Sequence, residues 1–511
     1  MAKRETPRPG PHEERRRILV RYSGDLTTKA RATRRRFVQR LARNLEDALG
    51  RDAGASRIVP GRDRVLVEVP PGVDPAPLAR VAGVQSISVA LRRTWRRQED
   101  LVAAGVEIFR DAVAGRKFAV RARRVGDRTQ IPIEAQALAA ALGEKLLPGA
   151  AGVDLGHPEV TANVEVFRGE AYFFDDRVAG PGGLPLGVEG SAVALASGGF
   201  DSIVAGWQMQ KRGISLDYVF CNLGGRAHQL EAIAVMKVLA RDWSYGTRPH
   251  LHAIDFDALA RDLQANVTQR YWQVVLKRLM LRVAERVARE RSAVAIVTGD
   301  AIGQVSSQTL RNIATISQAT TLPILRPLIG FNKDEILDLA REIGTYELSK
   351  QVGEYCAMVP SKPATAAKAG VIDAEEKKLD ASLLDEAVAQ RTVLDLRELD
   401  LAALEMPELE TNEVPEDATV LDLRSKAAYQ HWHYEGALFL DFANALRVYA
   451  SMPKDGRYVL YCEFGLKSAH LAELMRREGF DAVHFKRGLS ELLRYARAHG
   501  KPMPPGPLLG Q

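Results

Sequence analysis

Cysteine is nearly absent: Cys221, Cys356 and Cys462 are the three in a chain of 511 residues. An odd, sparse set with no C-x-x-C pair excludes a disulfide scaffold and a cysteine-built zinc site. Long apolar runs are missing as well. None approaches the roughly 20 residues that a membrane-crossing helix needs. The opening Met1-Ala2-Lys3-Arg4-Glu5-Thr6-Pro7 lacks the apolar stretch of an export signal. The expectation is a cytoplasmic protein with no membrane partner. No G-K-[ST] triplet occurs, which excludes a Walker phosphate loop. What remains is an ordinary globular composition, 46% hydrophobic and 26% charged. At about 100–200 residues per domain, the length predicts three or four domains with sizeable cores.

Charge is present but uneven. Residues 1–130 carry 30 Lys and Arg against 15 Asp and Glu, a net of +15, while the rest of the chain carries 41 against 49, a net of −8. A basic module on an acidic body suggests a polyanion held at one end.

Residues 1–14 are rich in proline and charge and are expected to be a disordered basic tail. Strand, helix and strand patterns follow, with Phe37, Leu41, Leu45 and Leu49 on one helical face. A second small α+β unit begins near Pro77 and includes a strand over Lys117–Arg124. After Gly180-Pro181-Gly182-Gly183 the pattern changes to alternating strands and helices, which predicts a parallel, doubly wound sheet. Residues 374–410 are charged and read as a helical connector without an obvious core. A smaller α/β unit closes the chain.

Ser197-Gly198-Gly199-Phe200-Asp201-Ser202 sits between a buried strand and a helix. Two glycines allow the backbone to approach a phosphate, and the helix start offers free N–H groups to the anion. The hexapeptide resembles the S-G-G-x-D-S loop of PP-loop ATPases, which split ATP between its α and β phosphates and adenylate a substrate oxygen. The resemblance implies that Asp201 helps position Mg2+ or the nucleotide. Later strand ends carry Phe220-Cys221-Asn222, Thr298-Gly299-Asp300 and a polar run ending in Gln308, with Lys277 on a helix between them. Open α/β sheets bind ligands at such ends.

Val459-Leu460-Tyr461-Cys462 is an apolar strand ending in a cysteine, and Glu463-Phe464-Gly465-Leu466-Lys467-Ser468 leads into a helix. A loop curled round the sulfur would stabilise a thiolate or persulfide anion through its N–H groups. It resembles the active-site loop of a rhodanese domain, as do Asp422-Leu423-Arg424 and Glu435-Gly436-Ala437. Thiosulfate-using rhodaneses usually carry arginine after the cysteine. Glu463 stands there instead, which points to a protein donor of sulfur. Cys356 follows the PP-loop region, and Cys221 reads as core.

A basic N-terminal module, a PP-loop domain and a rhodanese unit in that order closely resemble the bacterial tRNA 4-thiouridine synthetases. These tRNA sulfurtransferases are also linked to thiamine thiazole synthesis. Lys117-Phe118-Ala119-Val120-Arg121-Ala122-Arg123-Arg124 is similar to the RNA-binding THUMP domain, and Arg326-Pro327-Leu328-Ile329 with Asn332-Lys333-Asp334-Glu335 extend the match. The resemblance implies a ferredoxin-like domain at 15–75, a THUMP domain at 76–178, a PP-loop adenylation domain at 179–373 and a rhodanese-like domain at 411–511. It implies a cysteine desulfurase that loads sulfur onto Cys462, and uridine 8 of tRNA as the target. It also implies a sulfur carrier protein of the thiazole pathway as a further partner. Nucleotide contacts fall by motif on Leu195, Ala196, Ser197, Gly198, Gly199, Ser202, Phe220, Cys221, Lys277, Gly299 and Gln308. Asp201 and Lys333 match functional positions, and Cys356 and Cys462 match a catalytic disulfide pair. Two rival readings stay open: a sulfur carrier acting chiefly in thiazole synthesis, and a non-catalytic tRNA-binding protein.

Arg121, Arg123 and Arg124 are the tRNA-binding candidates. Affinity for tRNA is predicted to fall steeply with salt, because each neutralised phosphate releases counterions. A fragment of residues 180–511 is predicted to lose most of that affinity in filter-binding titrations.

Overall fold

The apolar run Ile18-Leu19-Val20 buries the first strand on both faces. In this computed structural model, which describes residues 16–352, 362–401, 404 and 407–504, the chain forms two compact units. The expected tail at 1–14 and Cys356 lie outside the described residues.

The first unit is made essentially of residues up to Glu189. Its strands are β1 (Arg16–Tyr22), β2 (Arg57–Pro60), β3 (Arg64–Val69), β4 (Val84–Thr94), β5 (Lys117–Arg124), β6 (Gly152–Val153), β7 (Val160–Val166), β8 (Glu170–Phe174) and β9 (Val178–Ala179). They form one sheet in the order β2-β3-β1-β4-β8-β7-β5-β6, with β9 paired to β4. β4 joins its two halves: its first part pairs with β1 and its last four residues with β8. The helix Arg31–Leu49 buries Phe37, Leu41, Leu45 and Leu49, the face expected from the sequence. A second core gathers Leu101, Phe109, Phe118, Leu138 and Phe173.

Where the halves meet, Glu165 of β7 lies between Arg21 of β1 and Arg64 of β3, and all three are buried. Arg21 Nη2 is 3.2 Å from Glu165 Oε1, and Arg64 pairs with Glu165 Oε2. The guanidiniums lie over Phe174 and Phe167. Burial, then Arg177 and Arg123, pulls Arg21 down to about 10, and burial with Arg21 does the same to Arg64. Both therefore stay charged at neutral pH, and one carboxylate holds two cations.

The second unit carries two sheets. β10 (Ser191–Leu195), β11 (Ser215–Asn222), β12 (His250–Asp255), β13 (Ile296–Val297), β14 (Ile324–Leu325) and β15 (Thr392–Asp395) run in the order β14-β13-β10-β11-β12-β15. The first five are parallel, and apolar runs such as Ala192-Val193-Ala194 are buried on both faces by flanking helices. Chain order reverses at β10, between β11 and β13, and such a switch point opens a crevice at the strand ends. The stretch expected as a helical connector does more than connect. Thr392–Asp395 adds to β12 as an antiparallel edge strand, and Leu384, Val388 and Leu396 are buried in the cores.

The second sheet comprises β16 (Glu410–Thr411), β17 (Thr419–Asp422), β18 (Leu438–Phe439), β19 (Arg457–Tyr461) and β20 (Asp481–Phe485) in the order β16-β20-β19-β17-β18, all parallel. Cys462 directly follows its central strand β19.

Removing Glu165 leaves two buried cations without their carboxylate. Glu165→Ala is predicted to destabilise the first unit by about 3–5 kcal/mol. Glu68→Ala, which breaks the more exposed Arg17–Glu68 pair, should cost under about 1 kcal/mol. Urea midpoints followed by hydrogen exchange in β1 and β3 check both.

Candidate functional site

The loop Ser197–Gly199 leaves β10 and enters the helix Phe200–Lys211. Gly198 has φ +80°, and a Cβ there would lie 2.7 Å from the Cα of Ala232. Gly299, just past β13, comes equally close: its Cβ would lie 2.6 Å from Asp201 C and Ser202 N. The loop is thus held by backbone packed on backbone. Ser202 Oγ donates to the Gly199 carbonyl and accepts from the Ser197 N–H.

A cavity of about 270 Å³ opens at these strand ends. Of the residues expected to contact nucleotide, Leu195, Ala196, Ser197, Ser202, Phe220, Cys221, Lys277, Gly299 and Gln308 border it, as does Asp201. Gly198 and Gly199 shape the loop without bordering the cavity. Cys221 packs against the core while bordering the cavity, and burial pushes its thiol up. Lys333, first residue of the helix Lys333–Glu342, places Nζ 2.8 Å from Asp201 Oδ1. Lys277 faces the cavity, whereas its neighbour Arg278 is buried against Glu376 and Asp373.

Two titratable residues of the cavity, Asp300 and His228, were not singled out from the sequence as site residues. Asp300 accepts from Lys277 Nζ at 2.9 Å, Thr298 Oγ1 at 2.8 Å and Arg326 Nε at 3.2 Å. Burial alone would raise its carboxyl, but Lys277, Thr298 and Arg326 outweigh burial and hold it at about 2. It orients the lysine and stays ionised. His228 packs edge-on against Phe220 at 5.1 Å. The signal for Asp300 was its place after Thr298-Gly299. His228 gave none, since a lone histidine on a helix carries no motif.

The residues suit a nucleotide and its metal. Gln308 Oε1 is buried without a hydrogen-bond partner and is an acceptor suited to a ring amine. The glycine-lined loop leaves room for phosphate. Among the described residues no three acidic, His or Cys side chains cluster as a metal site. Magnesium typically takes one or two carboxylates and completes its shell with phosphates and water, so Asp201 is the carboxylate that would hold it.

Cys462 is 4% exposed. The Gly465 N–H donates to its Sγ at 3.2 Å, and Ser468 Oγ lies 3.5 Å away. Gly465 has φ +94°, and a Cβ on Gly488 would lie 2.5 Å from Gly465 N and 2.6 Å from Cys462 O. Behind the loop, Asp422 is buried between Arg424 at 2.7 Å and the Tyr461 hydroxyl at 2.6 Å. Burial raises the Glu463 carboxyl, and it adds no positive charge beside the sulfur. Cys356 lies outside the described residues, so its distance from Cys462 is not defined.

In the first unit, Arg121 and Arg123 are exposed on alternate positions of β5, while Arg124 is half-buried and donates to the Ile133 carbonyl at 2.9 Å. Arg124 is therefore the least available of the three cations.

Gly488→Ala is predicted to break open the Cys462 loop, since the methyl group meets backbone on two sides. Alkylation of Cys462 should speed up severalfold in peptide mass spectrometry, with Cys221 unchanged as the internal control.

Known proteins resemble this chain along most of its length. The family described as Thiamine biosynthesis protein (ThiI) matches residues 187–381, the ThiI ferredoxin-like domain 17–88, the THUMP domain 96–176 and the rhodanese-like domain 407–494. A tRNA sulfurtransferase of Pyrobaculum aerophilum is 35% identical over 92% of this chain and 96% of its own. One from Shewanella sp. is 31% identical over 91% and 99%. A solved 4-thiouridine synthetase, in complex with RNA and with bound ATP, is 31% identical, with a TM-score of 0.66 over 75% of this chain and 99% of that one. With its ferredoxin-like, THUMP, PP-loop and rhodanese-like parts in that order, this chain belongs to the tRNA sulfurtransferase family.

Proposed function

We propose that this protein is an ATP-dependent tRNA sulfurtransferase that converts uridine 8 of tRNA to 4-thiouridine. One observation carries the reading: a cavity at the switch point of a parallel sheet, bordered by Asp201 and Lys277, shares a compact unit with a buried, loop-wrapped Cys462. Activation and sulfur carriage are thereby assigned to separate sites. The relatives are named for this transfer, and a similar solved chain holds both RNA and ATP. No helix among the described residues is long and apolar enough to cross a membrane.

A uridine carbonyl oxygen is a poor leaving group, and its attachment to AMP makes it a good one. In this reading the uridine oxygen attacks the α-phosphate of ATP and pyrophosphate leaves. Lys277 and Lys333 neutralise phosphate charge, and Gln308 accepts from the base. Asp201 holds Lys333 and would hold Mg2+, which supplies further charge neutralisation when bound. Arg121 and Arg123 are assigned to tRNA phosphates.

Cys462 receives sulfur as a persulfide from a protein donor, for which a cysteine desulfurase has the right chemistry. Its outer sulfur then reaches C4 and AMP departs. Either that sulfur attacks C4 and Cys356 afterwards displaces the thiolated base from Cys462, or Cys356 first displaces hydrosulfide, which attacks C4. Both routes end in a Cys356–Cys462 disulfide, which a reductant must open before the next round. The match to a thiamine biosynthesis family supports a second use of the same persulfide, passed to a thiazole-pathway sulfur carrier.

Asp201→Ala is predicted to abolish release of pyrophosphate with tRNA while Cys462 still accepts labelled sulfur. Loss of loading in a folded variant would contradict the separation of the two sites. Non-reducing peptide mapping after one turnover should show Cys356 joined to Cys462, with Cys221 free. Cys356→Ala should load sulfur yet fail at repeated turnover.

A further inference from the structure

Cys462 faces two needs that conflict. It must be open to a sulfur donor, and it must later be held where the activated base is. The second unit contains a contact suited to the latter. The helix Leu466–Arg477 starts at the Cys462 loop, and its Glu473 and His470 are buried against Gly224-Gly225-Arg226, the start of the helix Gly225–Asp242. Glu473 Oε2 accepts the Arg226 N–H at 2.9 Å, while Oε1 accepts from Arg477 at 2.7 Å. A carboxylate at a helix start meets both unpaired N–H groups and the positive end of the dipole. Gly225 has φ +71°, and a Cβ there would fall 2.3 Å from His470 Nδ1 and 2.6 Å from Glu473 Oε2. The approach thus depends on glycine at this position.

The same helix carries His228 into the nucleotide cavity, where it packs on Phe220. His228 also lies within electrostatic reach of His470. Burial pulls both imidazoles down to about 4, so both are neutral at pH 7. One turn of helix therefore borders the nucleotide cavity on one side and seats the persulfide helix on the other. The seat is narrow, because a cavity of about 750 Å³ remains between Leu230 and Glu231 of this helix and Glu463 and Phe464 of the Cys462 loop. A contact made of a few polar groups around a void can open and close.

We propose that Glu473 and His470 are positioning residues that dock the persulfide domain on the start of the Gly225–Asp242 helix, and that nucleotide in the cavity tightens this docking through His228. The proposal rests on the reading of that cavity as the ATP site. A base filling the cavity fixes the Phe220–His228 pair and so the surface His470 meets. Linkage then requires the converse: docking must strengthen nucleotide binding by the same factor.

The test is calorimetric titration of a non-hydrolysable ATP analogue into the full-length chain. Glu473→Lys, which opposes the helix dipole, should weaken the analogue by about fivefold or more. Glu473→Gln keeps an acceptor oxygen and should restore most of the affinity. Arg226→Pro removes the N–H that Glu473 accepts, at a first-turn position where proline is tolerated, and should act like Glu473→Lys. Amide exchange in Leu466–Arg477 should slow when analogue is added to the wild type and not to Glu473→Lys. Labelled sulfur on Cys462 reports whether the rhodanese-like domain of each variant is folded, and where Glu473→Lys fails that check Arg226→Pro decides. Wild-type affinity in both disrupting variants, with analogue bound normally by the wild type, overturns the proposal. A wild type that binds no analogue removes the ATP reading and the proposal with it.

Discussion

A side chain at Gly299 would collide with the backbone of Asp201 and Ser202, and one at Gly198 with the backbone of Ala232. The loop after β10, the start of the helix Phe200–Lys211, the end of β13 and the helix Gly225–Asp242 consequently pack closely at these two glycines. This approach sets the cavity. Asp201 pairs with Lys333 close by, and Ser197, Ser202, Lys277 and Asp300 border the cavity, with Lys277 paired to Asp300. A methyl group at Gly299 would push directly on the backbone of Asp201 and Ser202.

The two candidate reaction centres are built on opposite electrostatic plans. At and beside the cavity each lysine is paired to a carboxylate, Lys277 to Asp300 and Lys333 to Asp201. Around Cys462 the neighbours are the Gly465 N–H and the Ser468 hydroxyl, with Arg424 committed to Asp422 beneath the loop. Such a loop can hold a sulfur anion through dipoles without the fixed charge that would favour a small anionic donor. The placement of Glu463 agrees with that plan.

Much of this was legible in the sequence, because the chemistry concentrates in contiguous stretches. Ser197-Gly198-Gly199-Phe200-Asp201-Ser202 reads as strand, loop and helix, and Cys462 closes an apolar strand. The strands Lys117–Arg124, Ser215–Asn222 and His250–Asp255 lie where their alternation or apolar runs placed them. What escaped is set by contacts distant in the chain. Thr392-Val393-Leu394-Asp395 is a short, half-exposed edge strand within a charged stretch, too brief to read as a strand by itself, and its partner β12 lies far back in sequence. Glu473 meets Arg226 across 247 residues, so no local pattern could reveal it. The Arg21–Glu165–Arg64 cluster is likewise three ordinary surface residue types until the sheet is assembled.

Sulfur is proposed to travel from Cys462 to an ATP-activated uridine within this one chain. The most direct measurement loads Cys462 with radiolabelled persulfide, removes the donor, adds tRNA with or without ATP, and follows label into nucleosides by chromatography. The account predicts labelled 4-thiouridine only when ATP is present, in an amount limited by the loaded Cys462. Label appearing without ATP, or label remaining on the protein when both ATP and tRNA are supplied, would contradict it.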